Sequence, residues 1–233
     1  MDLSNATALV TGANRGLGSL YVDQLLARGA KVYAAARRPE TIEPRPGMTP
    51  LRLDIGNPDD VAAAATAAPD VNLLINNAGV LTEASLLTGD LADVRADLDT
   101  NFFGTLAMIR AFAGVIEGNG GGAILNMLSM FSWTSSPGAG AYCASKAALW
   151  SLTNSLRLEL APRKVRVAGL HVGFVDTDMV RHIDRPKVSA ESVVDAALAG
   201  LTAGDYEIVA DETSRKIKQG LSQDLRVLYP SLP

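Results

Sequence analysis

The stretch Ala6-Thr7-Ala8-Leu9-Val10-Thr11-Gly12-Ala13-Asn14-Arg15-Gly16-Leu17-Gly18 limits what this chain can fold into more than any other segment. An apolar run ends in glycines spaced Gly-x-x-x-Gly-x-Gly, and a helical pattern follows through Leu20, Leu25 and Leu26. The run reads as a strand, the glycines as a tight loop, and the remainder as the start of a helix. A junction of this kind is a site for anions. Backbone N–H groups point outward at the helix start, the helix dipole favours negative charge, and glycines let a pyrophosphate approach the backbone. The spacing is not the Gly-x-Gly-x-x-Gly of the common dinucleotide fingerprint. A glycine-rich turn without a ligand is the competing reading.

Strand-like and helix-like segments alternate along the rest of the chain, which predicts a parallel sheet covered by helices on both faces. Strands are expected at 6–11, 31–36, 50–54, 71–76, 122–128, 164–171 and 206–209. Apolar residues at Leu91, Val94, Leu98, Phe102, Leu106, Ile109 and Ile116 form a helical stripe over 91–117. Leu149, Leu152, Leu156 and Leu160 define a second helix over about 141–160, and Ile217, Leu221, Leu225 and Leu228 an amphipathic helix beyond Thr213. The span 39–48 carries Pro39, Pro44 and Pro46 and is too proline-rich for a crossover helix. No repeat or low-complexity linker interrupts the pattern, so residues 1–233 read as one domain.

Composition narrows the function classes. The net charge of −4 offers no basic field for nucleic acid or anionic lipid. No apolar stretch approaches the ~20 residues of a membrane span, and Met1-Asp2-Leu3-Ser4-Asn5 lacks the basic region of a secretory signal. The single cysteine, Cys143, cannot form an internal disulfide. These features predict a cytoplasmic protein. Cys143 reads as a packing residue. His171 lies in an apolar strand and His182 in a charged loop, and neither has a serine–carboxylate arrangement or metal-ligand spacing around it. No metal is expected.

Chemistry concentrates in Tyr142, Lys146 and Ser129. A phenol and an ammonium four residues apart project from one helix face. The cation favours phenolate, which predicts a tyrosine pKa below its ordinary value of about 10 and a phenol able to exchange a proton with a carbonyl or alcohol oxygen. Cofactor choice follows from charge. The strand Lys31–Ala36 is followed by Arg37 and Arg38, where an NAD-binding chain usually carries a carboxylate for the ribose 2′-hydroxyl. A guanidinium there grips a 2′-phosphate instead, with Arg15 of the glycine loop as a second cation. NADP(H) is the expected cofactor.

Thr11-Gly12-x-x-x-Gly16-x-Gly18, Asn76-Asn77-Ala78-Gly79, Ser129 and Tyr142-x-x-x-Lys146 together resemble the short-chain dehydrogenase/reductase family, in its order and spacing, from about residue 5 to about 180. The resemblance implies a Rossmann-type α/β fold, a doubly wound parallel sheet of about seven strands. It implies cofactor contacts at Gly12, Asn14, Arg15, Gly16, Leu17 and Gly18, at Arg37, at Asp54 and Ile55 for the adenine, and at Asn77, Ala78 and Gly79 for the ribose. Gly173, Val175 and Thr177 would meet the nicotinamide, with Tyr142 and Lys146 beside it. Asn101 would complete a catalytic tetrad with Ser129, Tyr142 and Lys146, holding a water that links the lysine to solvent. Two residues depart from the family pattern: Val172 stands where a proline is usual and Leu128 where a serine is common.

By the same resemblance the substrate pocket takes its walls from Met130, Phe131 and Trp133, from Val80 and Leu81, and from Phe174, Met179 and Val180. That set favours an apolar or aromatic ketone or aldehyde, with the corresponding secondary alcohol in the reverse direction. The implied assembly is a homotetramer or homodimer built on helices 91–117 and 141–160. The alternative function is a catalytically silent NADP-binding regulatory or structural protein of the same fold.

Overall fold

The computed structural model describes residues 1–232. Seven strands form one parallel sheet: β1 (Thr7–Thr11), β2 (Lys31–Ala36), β3 (Met48–Arg52), β4 (Leu73–Asn76), β5 (Gly122–Met127), β6 (Val165–His171) and β7 (Glu207–Val209). Their order is β3-β2-β1-β4-β5-β6-β7. The chain runs outward from β1 to one edge, then returns past it to build the other half. The reversal falls between β1 and β4, and in doubly wound sheets the crevice beyond the strand ends at that point is where ligands bind.

Each central strand feeds two cores because neighbouring residues point to opposite faces. Val10, Ile75 and Leu125 lie in the core that includes residues of α1 (Gly16–Ala27), whereas Leu9, Leu74 and Ile124 lie in the core of the other face. All six are fully buried, which explains why these strands read as continuous apolar runs rather than alternating ones. The first face is completed by α6 (Ala190–Ala203). The second is covered by α2 (Pro58–Ala67), α4 (Thr105–Gly118) and α5 (Gly140–Leu160).

β4 begins at Leu73 rather than at 71, and three further elements differ from the sequence expectation. β3 spans Met48–Arg52 rather than 50–54, since the Asp54 N–H already donates to the Asp60 carboxylate and leaves the sheet. Pro50 is tolerated there because β3 is an edge strand. The expected single helix over 91–117 is α3 (Leu91–Leu98), a π-helical turn at Asp99–Gly104, and then α4. Gly104 allows that turn to sit against β3's exit loop, because a Cβ there would lie 2.9 Å from Ile55 Cγ1. Such turns recur at functional sites, and this one holds Asn101. The expected C-terminal helix is also broken. It becomes α7 (Glu212–Gly220) and the short α8 (Leu225–Leu228), capped by the Asp224 side chain, with Leu228 folded back onto Gly220. The 39–48 connection holds only a short 3₁₀ turn, Pro39–Thr41.

Candidate active site

The glycine loop and the end of β4 are locked together beneath a cleft of about 530 Å³. Thr11 Oγ1 accepts from the N–H groups of Asn77 (3.0 Å) and Ala78 (2.9 Å), while Asn77 Nδ2 donates to the Thr11 carbonyl (2.9 Å) and the Gly12 carbonyl (3.3 Å). Gly12 and Gly16 take φ of +64° and +53°, a conformation that favours glycine. Gly18 is required for a different reason. A Cβ on it would lie 2.0 Å from the Gly12 carbonyl oxygen, so only glycine lets α1 start this close to β1.

Arg15 precedes α1 without a side-chain capping bond, which leaves the first-turn N–H groups available to an anion. Gly12, Asn14, Arg15, Gly16 and Leu17 all line the cleft, as do Arg37, Asp54, Ile55, Asn77, Ala78 and Gly79. Gly18 lies beneath it. No carboxylate follows β2, and among the described residues Arg37 forms no ion pair, whereas Arg15 faces Asp178 at 3.5 Å. Free donors, a glycine cradle and two cations fit a phosphorylated dinucleotide. At the far end Gly173, Val175 and Thr177 line the same cleft. There the Gly173 N–H donates to Asp211 (2.7 Å) and Thr177 Oγ1 to the Val175 carbonyl (3.3 Å).

Ser129, Tyr142 and Lys146 meet in the wall of this cleft. Ser129 leaves β5 and begins a 3₁₀ turn; its Oγ accepts from the Phe131 N–H at 3.1 Å and donates to the Val172 carbonyl at 3.5 Å. Lys146 is buried, donates to the Met127 carbonyl at 2.8 Å, and stands 5.6 Å from the centre of the Tyr142 ring. Burial lowers its pKa to about 8, with the carboxylate of Asp97 acting to raise it. The sequence expectation that Lys146 would draw the Tyr142 phenol below its ordinary value does not hold in this geometry. Burial pushes the phenol up, and the opposing influence is the Ser129 hydroxyl.

Asn101 lies behind the cleft wall rather than in it. Its Oδ1 accepts from the Val80 N–H (2.9 Å), and its Nδ2 donates to the Val80 carbonyl and to Ser145 Oγ (both 2.9 Å). One turn earlier, the fully buried Asp97 accepts from the Thr82 hydroxyl (2.7 Å) and N–H (3.3 Å). Burial raises its pKa. Asp97 is a site residue that the sequence signals only as a charge on the edge of the 91–117 apolar stripe.

The expected substrate walls are only partly in place. Met179, Val80 and Val180 line the cleft, but Met130, Phe131, Trp133, Phe174 and Leu81 do not. Met130 is buried behind Gly173. Trp133 turns away to stack on His171, with ring centres 3.7 Å apart. Phe174 stands edge-on to Phe131 at 6.0 Å, and Phe131 edge-on to Tyr142 at 6.4 Å. The two departures from the family pattern, Leu128 and Val172, both face the cleft. The Val172 carbonyl also accepts from the Met130 N–H at 2.9 Å, which ties the two loops together.

A parallel sheet with a glycine-rich loop at its switch point and a Ser–Tyr–Lys group beyond β5 defines a dinucleotide-dependent oxidoreductase. Residues 6–187 match the family described as short chain dehydrogenase, and the chain belongs to that family. Among its relatives are D-erythrulose reductase of Gallus gallus, 35% identical over 75% of this chain and 73% of the relative, and carbonyl reductase [NADPH] 2 of Sus scrofa, 33% identical over 78% and 77%. A short chain dehydrogenase from Burkholderia cenocepacia J2315, solved in complex with NADP, superposes with a TM-score of 0.95. It is 41% identical and covers 100% of this chain and 99% of its own.

Proposed function

We propose that this protein is an NADPH-dependent carbonyl reductase that reduces an apolar or aromatic ketone or aldehyde to its alcohol, and runs the reverse reaction when NADP is supplied. The observation that carries the reading is one cleft lined by both the glycine loop with Arg37 and the Ser129, Tyr142 and Lys146 side chains. Support for the cofactor comes from the two arginines and from the NADP complex of the Burkholderia cenocepacia relative.

NADPH held along the glycine loop supplies the hydride to the carbonyl carbon. Ser129 Oγ, with one lone pair already taken by the Phe131 N–H, gives up its long 3.5 Å bond to the Val172 carbonyl, turns its proton to the substrate oxygen and stabilises the charge that develops there. Tyr142 donates the proton that completes the alcohol. A phenol held above its ordinary pKa stays protonated in the resting enzyme, which suits an acid in the reductive direction. Lys146 contributes positive charge beside the phenol and would hold the nicotinamide ribose when the cofactor is bound. Asn101 fixes the Val80 segment that forms the opposite wall. Val80, Leu128, Met179 and Val180 make that end apolar.

The assembly that fits is a homotetramer or homodimer through α4 and α5. Phe103 is 56% exposed beside Leu106 in an apolar groove between α2 and α4, and Leu158 on α5 is 79% exposed. Surplus apolar area of this kind usually marks a contact between copies. Light scattering tests it, with a mass near 24.4 kDa meaning a monomer. Among the described residues no helix is long and apolar enough to cross a membrane. With a lone buried thiol at Cys143, the cytoplasm is the compartment this reading assigns.

The test of activity is consumption of NADPH, and separately of NADH, against a panel of aromatic, aliphatic and cyclic ketones and aldehydes. Turnover of at least one carbonyl compound with preference for NADPH is expected. Tight NADPH binding with no turnover across the panel would favour a silent cofactor-binding protein instead.

A further inference from the structure

His171 is the last residue of β6, is fully buried, and has no part in the chemistry above. Its Nδ1 lies 3.1 Å from the carbonyl oxygen of Ser129. A carbonyl only accepts, so this nitrogen carries the proton and the ring is held as the Nδ1–H tautomer. The rest of the ring is boxed in. Trp133 stacks on one face, with the planes 13° apart. Among the described residues Nε2 has no hydrogen-bond partner, and it looks toward Glu207 Oε1 at 3.6 Å. Glu207 is itself paired with Lys218, whose ammonium stands 6.0 Å from the Trp133 ring centre.

A leucine could fill this apolar space without leaving a buried nitrogen unpaired, a cost that natural interiors avoid. What the imidazole adds is one donor aimed at one carbonyl. That carbonyl belongs to the residue whose hydroxyl faces the Tyr142 phenol. The other polar groups of Ser129 are also held: its N–H by Ser132 Oγ (3.2 Å) and its Oγ by the Phe131 N–H (3.1 Å). The carbonyl accepts a second bond, from the Ser132 N–H at 2.9 Å, but that bond lies within the same short turn. The serine turn also meets the end of the neighbouring strand through the Met130 N–H (2.9 Å) and, more weakly, Ser129 Oγ (3.5 Å), both to the Val172 carbonyl, and the His171 bond is the contact that a strand side chain makes to the backbone of Ser129 itself. The same strand end continues into Val172 and Gly173, which line the cleft at its nicotinamide end.

We propose that His171 is a positioning residue for Ser129, its Nδ1–H fixing the backbone of the serine turn so that Oγ meets the substrate oxygen. The proposal rests on the catalytic reading of Ser129. It also accounts for Trp133, which leaves the cleft to hold the imidazole plane. Misplacement of a catalytic group by about 1 Å can cost ~10²-fold in rate, so loss of the tie should be seen in kcat.

The test compares His171→Leu, which removes the donor, with His171→Asn, whose amide can present an N–H near the Nδ1 position. Each is made alone and in a Ser129→Ala background. His171→Leu should lower kcat by about tenfold or more with the NADPH Kd within about twofold, and His171→Asn should recover most of the rate. In the Ser129→Ala background the leucine substitution should cost less than about twofold, because the group it positions is gone. Equal losses in leucine and asparagine variants, or an equal loss with and without Ser129, would overturn the proposal. A readout independent of turnover and of the variants' folding is the ¹⁵N spectrum of the histidine-labelled wild type. The chain has 2 histidines, so assignment is simple. A neutral His171 protonated on Nδ1 is expected, and one protonated on Nε2 contradicts it even if no substrate is found.

Discussion

Gly18→Ala adds one methyl group at the point where α1 leaves the glycine loop, and its cost can be worked from the backbone. The new Cβ would stand 2.0 Å from the Gly12 carbonyl oxygen, 2.7 Å from the Gly12 carbonyl carbon and 2.8 Å from Asn77 Nδ2. Contacts below 3.0 Å are essentially never seen, so helix and strand must separate by about 1 Å, and backbone rather than a flexible side chain has to move. Overpacking of this kind costs typically 1–3 kcal/mol. The shift also strains the Asn77 amide bonds to Thr11 and Gly12, each worth ~1 kcal/mol. A total of about 3 kcal/mol or more corresponds to a fall in Tm of roughly 6–12 °C for a chain of this size. NADPH affinity should fall by about tenfold or more, since the N–H groups of the loop no longer converge.

Thermal unfolding by circular dichroism and titration calorimetry with NADPH read both effects. Gly114→Ala, inside α4 with only Arg163 Nη2 within 4.0 Å, serves as the control and should gain about 0.5–1 kcal/mol. A Gly18→Ala protein that melts within about 2 °C of wild type and binds NADPH normally would refute the claim that packing demands glycine there.

Arg37→Asp places a carboxylate in the cleft beyond β2 and should shift preference from NADPH toward NADH by about 10²-fold or more, measured as the ratio of kcat/KM values. If NADPH is still strongly preferred, Arg15 or Arg38 holds the phosphate. The Lys146 ammonium, lowered from 10.5 to about 8, is charged below that pH and loses its charge above it. For ketone reduction kcat/KM for NADPH should therefore be level below about pH 8 and fall above it, and Lys146→Met should remove that inflection. His171, lowered from 6.5 to about 4 mainly by burial, stays neutral in the fold while the unfolded chain takes up a proton. Stability is then lost as pH falls through the window from 6.5 to 4, by about 3 kcal/mol in all. Glu207, Lys218 and Arg157 face the ring, and a His171→Asn variant should show a flatter dependence of Tm on pH across the same window.

The layers were legible in the sequence because fully buried parallel strands write themselves as unbroken apolar runs, as at Leu9-Val10 and Leu73-Ile75. What the sequence could not carry was direction. Trp133 is large, aromatic and close to Ser129, and nothing in its neighbours announces that it turns toward His171. The π-helical turn around Asn101 preserves apolar residues on its flanks, so a helix read by period runs straight through it. Gly104 marks the place, but only the approach of Ile55 shows why it is glycine. The shift of the Tyr142 phenol runs opposite to the sequence expectation for a related reason: a neighbouring cation is visible in sequence, whereas burial is a property of the whole fold.

The central claim is that Tyr142 is the proton donor of a carbonyl reductase. Replacement by phenylalanine keeps the ring that packs edge-on to Phe131 and removes only the oxygen. The decisive measurement is kcat for NADPH oxidation by Tyr142→Phe, with NADPH affinity and Tm recorded on the same preparation. The account predicts a fall of ~10²-fold or more in kcat, with affinity and Tm little changed. A Phe variant that turns over at the wild-type rate would contradict it.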